Sequence, residues 1–135
     1  MKYVFQCVCI VAISFLLLDC AQSEDVKSMQ VTATAYTMHE SETKKGHEGL
    51  TAWGDQLKPG MKAIAVSRDL IDKGLDHNTK VRIKGMEGIY VVRDKMHKRW
   101  TKKIDIFMGT NREKALRWGK RKVTIYWPND ERDQN

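Results

Sequence analysis

The stretch Val91–Met108, VVRDKMHKRWTKKIDIFM, holds two aspartates, Asp94 and Asp105, eleven positions apart. Each aspartate lies in or beside a short apolar run. A polar, strongly basic loop, Lys95–Lys103, joins the two runs, and we call it the basic loop. Two carboxylates on apolar strands are the kind of pair that acid/base chemistry on sugars uses. They fit equally well with two structural carboxylates that balance a basic surface. This stretch alone leaves both interpretations open.

Asp105 interrupts an apolar strand that the sequence predicts over residues 103–108. Along that strand Asp105 and Phe107 share one face, because side chains alternate between the two faces of a strand. A carboxylate in an apolar strand is costly unless it has hydrogen-bond partners or faces a cleft. The pattern therefore predicts either a hydrogen-bonded structural aspartate or a site.

The first residues are typical of a secretory leader, residues 1–23. Lys2 gives a minimal positive region, and Val8–Leu18 is an almost unbroken apolar run. Residues 21–23 (AQS) fit the small-x-small pattern of a signal-peptidase site. The apolar run is shorter than the roughly 20 residues that span a bilayer. A cleaved leader is therefore favoured over an uncleaved N-terminal anchor.

All three cysteines, Cys7, Cys9 and Cys20, fall in this leader. Downstream of them no thiol is available for a disulfide, a thiolate metal site or a cysteine nucleophile. An exported domain without cysteines is common in a bacterial periplasm, which indicates a bacterial protein that is periplasmic or secreted. The residues before Cys20 loosely resemble a lipoprotein box. A lipid anchor at Cys20, which would place the protein on the outer membrane, is the alternative.

After the leader the chain is long enough for one domain with a modest core. We expect a flexible lead-in over residues 24–30, a folded domain over residues 31–127 and a polar tail over residues 128–135. Glycine turns separate short apolar and β-branched runs, which predicts a small closed barrel. The predicted strands are residues 31–36, 63–66, 81–83, 89–92, 103–108 and 123–127. Two short helices are predicted after Ser67 and Thr110, each of these residues acting as an N-cap.

The formal net charge is +7 at pH 7. A basic exported domain favours acidic partners, although solubility alone is an adequate explanation. Nucleic acid is not an expected partner, because the basic loop offers the single aromatic Trp100 as a stacking platform. The four histidines lie in predicted loops without the close spacing of a metal site, so we expect no metal and no cofactor. These histidines are His39, His47, His77 and His97.

Several short motifs follow one another along the chain: Ala33–Tyr36 (ATAY), Lys58–Gly60 (KPG), Ile64–Val66 (IAV), Asp94 with Ile104–Phe107 (IDIF), and Gly119–Val123 (GKRKV). In this order they resemble the three-aspartate (3D) domain, which also forms the catalytic barrel of membrane-bound lytic transglycosylase A. The resemblance covers residues 31–127 and implies a mainly β fold, a six-stranded double-psi β-barrel with two short helices here.

The resemblance implies cleavage of peptidoglycan between N-acetylmuramic acid and N-acetylglucosamine, with a 1,6-anhydro product and without water. It assigns the acid/base role to Asp105 and a supporting role to Asp94. Peptidoglycan glycan strands are then the expected partner, bound by a monomer. The candidate substrate-binding residues are Trp100, Tyr36, Thr51, Lys95 and Lys103.

The sequence departs from the family pattern at two places. Ser67 stands where the first aspartate of the family follows the Ala-Val strand, and the nearby Asp69 and Asp72 are out of register. The family's Asp-Thr-Gly-Gly is Asp94–His97 (DKMH) here, and losing both glycines changes how closely the backbone can approach a ligand. A non-catalytic peptidoglycan-binding module is therefore the alternative to a lytic transglycosylase. A structural or partner-binding exported domain is a third reading.

Overall fold

The computed structural model describes residues 25–39 and 46–129. The predicted leader, with its three cysteines, lies outside the described residues, as does most of the predicted polar tail. In the part of the chain that the structure describes, no helix has the length and apolar character that a membrane span requires.

Six strands close into a barrel, and two short helices lie between them. The order around the barrel is β1-β5-β2-β4-β3-β6, and β6 closes the barrel by pairing with β1. The pairs β1–β5 and β2–β4 are parallel, and the other pairs are antiparallel. This architecture confirms the predicted small double-psi β-barrel. The elements are β1 (Val26–Tyr36), β2 (Ala63–Val66), α1 (Arg68–Ile71), β3 (Lys80–Ile83), β4 (Tyr90–Lys95), β5 (Lys103–Phe107), α2 (Arg112–Trp118) and β6 (Arg121–Pro128).

The core fills the barrel with aliphatic side chains from every strand. All four residues of β2 are buried, which explains why this strand reads as a continuous apolar run. On β5, Ile104 and Ile106 are fully buried and Asp105 between them is half-buried. Alternation along β5 therefore directs Asp105 away from the core that its two neighbours fill.

The predicted flexible lead-in is corrected by the structure, because β1 begins at Val26 rather than at residue 31. Residues 26–33 pair antiparallel with β6, from Val26 opposite Pro128 to Ala33 opposite Arg121. In the first five residues of β1 the side chains are exposed or half-buried. One side of this stretch is exposed and the other is only half-buried, so its residues show no clear apolar alternation and look like a polar linker in the sequence.

The N-cap of α1 is Ser67, as predicted, whereas α2 starts one residue later than predicted. Ser67 precedes α1, but its side chain makes no capping hydrogen bond. The cap of α2 is Asn111 rather than Thr110, and its side chain accepts a hydrogen bond from the Lys114 N–H. An asparagine oxygen at this position caps a helix as well as a threonine does. The observed start of α2 is therefore one residue after the predicted start.

Candidate active site

Strand register brings the two aspartates to the same side of the barrel. Thr34 on β1 is opposite Asp105 on β5, and Asp105 is opposite Ala65 on β2. Ala65 is in turn opposite Asp94 on β4. The aspartates are thus two strands apart with a small residue between them, about 10 Å between their Cα atoms at ordinary strand spacing. The methyl side chain of Ala65 leaves open space between the two carboxylates.

That space is a groove of about 290 Å³, the carboxylate groove. Four predicted site residues besides Asp105 contribute to its wall, so the structure brings together side chains from β1, β4, β5 and the basic loop after β4. The lining residues are Ala35, Tyr36, Ala65, Asp94, Lys95, Met96, His97, Trp100 and Asp105.

The carboxylate of Asp105 is held by β1. The Thr34 hydroxyl donates a hydrogen bond of 3.0 Å to Asp105 Oδ1. Thr34 and Asp105 are register partners on parallel strands, which is why a threonine 71 positions earlier can reach this carboxylate. Sequence reasoning missed Thr34 because only the strand pairing reveals it.

Asp94 lies at the end of β4, where backbone N–H groups hold one of its oxygens. Asp94 Oδ1 accepts hydrogen bonds from the Ala52 N–H at 2.9 Å and from its neighbour's N–H, that of Lys95, at 2.8 Å. Burial raises the pKa of Asp94 above its ordinary value, and the nearby Asp55 charge acts in the same direction. The two N–H groups and the Lys95 charge oppose this rise without cancelling it. Asp94 therefore keeps its proton to a higher pH than a free aspartate.

Tyr36 ends β1 in the wall of the carboxylate groove, with 7% of its surface exposed. Its hydroxyl is buried and has no hydrogen-bond partner among the residues that the structure describes. Burial and the nearby charges of Asp94 and Asp105 raise the pKa of its phenol, so the group stays a neutral donor. A buried hydroxyl without a partner is uncommon in native proteins and points to a function or to a ligand.

Aromatic rings and cations surround the mouth of the groove. Trp100 is 37% exposed, and the Lys103 ammonium lies 3.6 Å from the centre of its ring. Lys95 lines the groove and lies 5.7 Å from the ring centre of Trp53. Lys103 does not line the groove and borders it only through Trp100. The resulting rim combines an accessible indole with positive charge.

The structure does not bring Thr51 into the groove. Thr51 is buried, and its hydroxyl accepts a hydrogen bond from the Asp55 N–H inside its own loop. The neighbouring Ala52 contacts the site instead, through its N–H bond to Asp94. Thr51 therefore shapes the loop that supports Asp94, which corrects its predicted position in the groove wall.

Ser67 and Asp69 support the basic loop rather than the groove. Ser67 is fully buried, and its Oγ accepts a hydrogen bond of 3.0 Å from the Lys103 N–H. Asp69 accepts a hydrogen bond from the N–H of Lys102, which has a positive φ of 44°. Burial would raise the pKa of Asp69, but hydrogen bonds from Ser67 and the Lys102 N–H outweigh it and lower the pKa. Neither Asp69 nor Asp72 lines the groove.

Asp55 and His77 form a charged pair close to Asp94, which the sequence did not indicate. His77 pairs with Asp55, and its ring stacks on Trp53 with the ring centres 4.9 Å apart. Asp55 is the charge that helps raise the pKa of Asp94. Over residues 25–39 and 46–129, no group of three or more His, Cys, Asp or Glu side chains is placed to hold a metal ion.

No family model and no curated protein matches this chain. It is similar to the apo crystal structure of an expansin from Clavibacter michiganensis, with a TM-score of 0.50, 18% identity, and coverage of 77% of this chain and 52% of that chain. It is also similar to an aspartate-to-asparagine mutant of that expansin in complex with cellohexaose, with a TM-score of 0.51, 17% identity and the same coverages, 77% and 52%.

The chain thus spans about half the length of the expansin it matches. At such low identity the likeness shows the barrel fold alone. The resemblance to the 3D domain therefore rests on the motifs in the sequence.

Proposed function

We propose that this protein is a peptidoglycan lytic transglycosylase that binds a glycan strand in the carboxylate groove. One observation carries the proposal. Asp94 and Asp105 line one open groove, and Asp94 keeps its proton to a higher pH than an ordinary aspartate. The motif resemblance to the 3D domain supplies the substrate, the bond between N-acetylmuramic acid and N-acetylglucosamine. The proposal includes export through the predicted leader, because this substrate lies outside the cytoplasm.

The proposed reaction needs one carboxyl that first donates and then accepts a proton. Asp105 protonates the glycosidic oxygen as the bond from that oxygen to the anomeric carbon breaks. The 6-hydroxyl of muramic acid then bonds to the anomeric carbon and returns its proton to Asp105, so no water is consumed. Asp94 lines the same groove, and burial raises its pKa, so it can hold a proton close to the reacting groups.

Neighbouring groups suit this task. Thr34 fixes the Asp105 carboxylate from β1, and two backbone N–H groups fix Asp94. Tyr36 offers a neutral hydroxyl that has no described partner, and it can donate to a sugar oxygen. Trp100 at the rim presents a flat apolar surface on which a sugar ring can stack.

Digestion of purified sacculi tests the proposal. The mature protein should release anhydro-muropeptides, detected by mass spectrometry, and Asp105→Asn should release none while still binding the sacculi. Asp72→Asn, on the surface outside the groove, is the matched control. Anhydro-muropeptides from Asp105→Asn at the wild-type level would overturn the assignment of Asp105.

A non-catalytic glycan-binding module is the second candidate function. One specific observation favours it: a similar solved barrel is an expansin in complex with cellohexaose. Ser67 at the position of the first family aspartate agrees with it. In this case the wild-type protein pellets with sacculi and releases no product. The Asp105→Asn variant then pellets with sacculi to the same extent as the wild type. The two candidates therefore differ in the same pair of experiments.

A further inference from the structure

A second groove lies at the opposite ends of β2 and β4 from the carboxylates. Tyr90, at the start of β4, lines it, whereas Asp94 near the end of β4 lines the carboxylate groove. Tyr90 and Asp94 are four positions apart along β4, about 13 Å at the ordinary rise of a strand. This second groove has a volume of about 490 Å³, and we call it the basic groove. Its lining residues come from the segment before β2, the β3–β4 turn, the start of β4, the residue after β5, α2 and the start of β6.

Positive charge dominates the basic groove. Four of its lining residues are cationic, and Glu87 is the single acidic one. Over the described ranges, 25–39 and 46–129, the salt bridges join His77 to Asp55 and Arg117 to Glu113, so three of the four cations have no ion-pair partner there. The pair of Arg117 with Glu113 is 3.7 Å long and largely exposed, and such pairs are weak. The cations are Lys62, Lys114, Arg117 and Arg121.

Two of these cations are held in place by the fold. Lys62 Nζ donates a hydrogen bond of 2.7 Å to the main-chain oxygen of Glu87 and passes over Gly88. Gly88 lies directly beside this ammonium and has no Cβ to contact it. Arg121 donates to the main-chain oxygen of Trp118, with its guanidinium 4.0 Å from the indole centre. Cations ordered before binding lose less entropy when a ligand arrives.

We propose that the basic groove binds a linear anionic polysaccharide through its carboxylate groups. Four cations line a groove of about 490 Å³, which suits an extended ligand with several charges rather than a single small ion. Guanidinium and ammonium groups are the usual partners of carboxylates. This site is separate from the carboxylate groove and does not depend on the chemistry proposed there.

The lining argues against nucleic acid and against a membrane. Trp118 is covered by the Arg121 guanidinium and Tyr90 is buried, so neither ring is a free platform for stacked bases. A membrane-binding surface needs exposed large apolar side chains. In the described part of the chain, none of the exposed large apolar residues lines the basic groove.

A pair of charge variants tests the proposal with polygalacturonate as the probe. Lys114→Gln combined with Arg117→Gln removes two exposed cations from the groove. Lys73→Gln combined with Lys80→Gln removes the same charge from the surface elsewhere. Calorimetric titration should show affinity for polygalacturonate reduced about tenfold by the first pair and little changed by the second. Neutral dextran should bind neither to the wild type nor to the two double variants.

Other outcomes overturn the proposal. If both double variants lose the same affinity for polygalacturonate, the ligand is attracted by net charge and the groove is not a binding site. Tighter binding of polyphosphate or of duplex DNA than of polygalacturonate, lost in the groove variant, would assign the groove to phosphate ligands. Thermal unfolding of both variants at the wild-type midpoint shows that the fold is intact, as expected for exposed side chains.

Discussion

Thr34 and Asp105 face each other across the parallel strands β1 and β5, and the threonine hydroxyl donates a 3.0 Å hydrogen bond to Asp105 Oδ1. This bond fixes the carboxylate that our proposal places at the glycosidic oxygen. The link depends on the closure of the barrel, because the two residues are 71 positions apart. It therefore joins the fold directly to the proposed chemistry.

Replacing Thr34 by valine should change the orientation of the Asp105 carboxylate while leaving the fold intact. Thr34→Val keeps the branched shape and removes the donor, so Asp105 loses the hydrogen bond that orients its Oδ1 and release of anhydro-muropeptides should fall about 100-fold. The free energy of unfolding should fall by only about 1 kcal/mol. Thr34→Ser keeps the hydroxyl and should retain most of the activity. Equal activity in the valine and serine variants would remove Thr34 from the mechanism.

Asp94→Asn should change how stability depends on pH. The pKa of Asp94 is raised in the folded state above its ordinary value of 3.8, so the folded protein binds more proton than the unfolded chain in the window between the two values. Stability of the wild type therefore falls as pH rises through that window, and burial of the charged form costs free energy above it. The asparagine oxygen can still accept from the N–H groups of Ala52 and Lys95.

Urea denaturation from acid to neutral pH measures this effect. The stability of Asp94→Asn relative to the wild type should increase as pH rises and stay high above the raised pKa, while activity is lost. Asp72→Asn on the surface should follow the wild type. A constant difference between Asp94→Asn and the wild type across pH would contradict the raised pKa.

Tyr36→Phe should cost function but not stability. The phenol oxygen has no described hydrogen-bond partner, so removing it relieves an unsatisfied buried group, and the free energy of unfolding should be unchanged or rise by up to about 1 kcal/mol. Affinity for glycan should fall about tenfold if the hydroxyl binds a sugar oxygen. Pelleting with sacculi together with thermal unfolding gives both quantities. A drop in stability without a change in binding would make Tyr36 purely structural.

Ser67→Ala should weaken the anchor of the basic loop. The Lys103 N–H would lose the Ser67 oxygen that accepts its hydrogen bond inside the fold, which should cost about 1–3 kcal/mol of unfolding free energy. Ser28→Ala, on the exposed side of β1, is a matched control and should change stability by less than about 0.5 kcal/mol. Equal effects of the two substitutions in urea denaturation would show that the Ser67 bond contributes little.

Local patterns in the sequence were enough to predict most strands. The run 63–66 was predicted with its observed bounds, since all four of its side chains are buried and apolar. The start of β1 was missed because residues 26–30 are exposed or only half-buried and show no clear apolar alternation. The helix start moved from Thr110 to Asn111 because neighbouring residues can provide equivalent caps.

The candidate site was predictable only in part. Asp94, Asp105, Tyr36, Lys95 and Trp100 were chosen from the sequence, and they line one groove. Thr51 was misplaced because its hydroxyl is used inside its own loop. Thr34 was missed because the residues of β1 and β5 do not by themselves indicate that these two strands pair, or in which register.

The sequence by itself determined a small, basic, mainly β domain with two aspartates on apolar strands, because alternation and glycine turns are local properties of the chain. The tertiary structure decided which groups meet. It set Ala65 between the two aspartates, raised the pKa of Asp94 by burial, and left the Tyr36 hydroxyl without a described partner. It also gathered four cations from three segments into the basic groove. These properties depend on strand register and burial, which arise only when distant segments pack together.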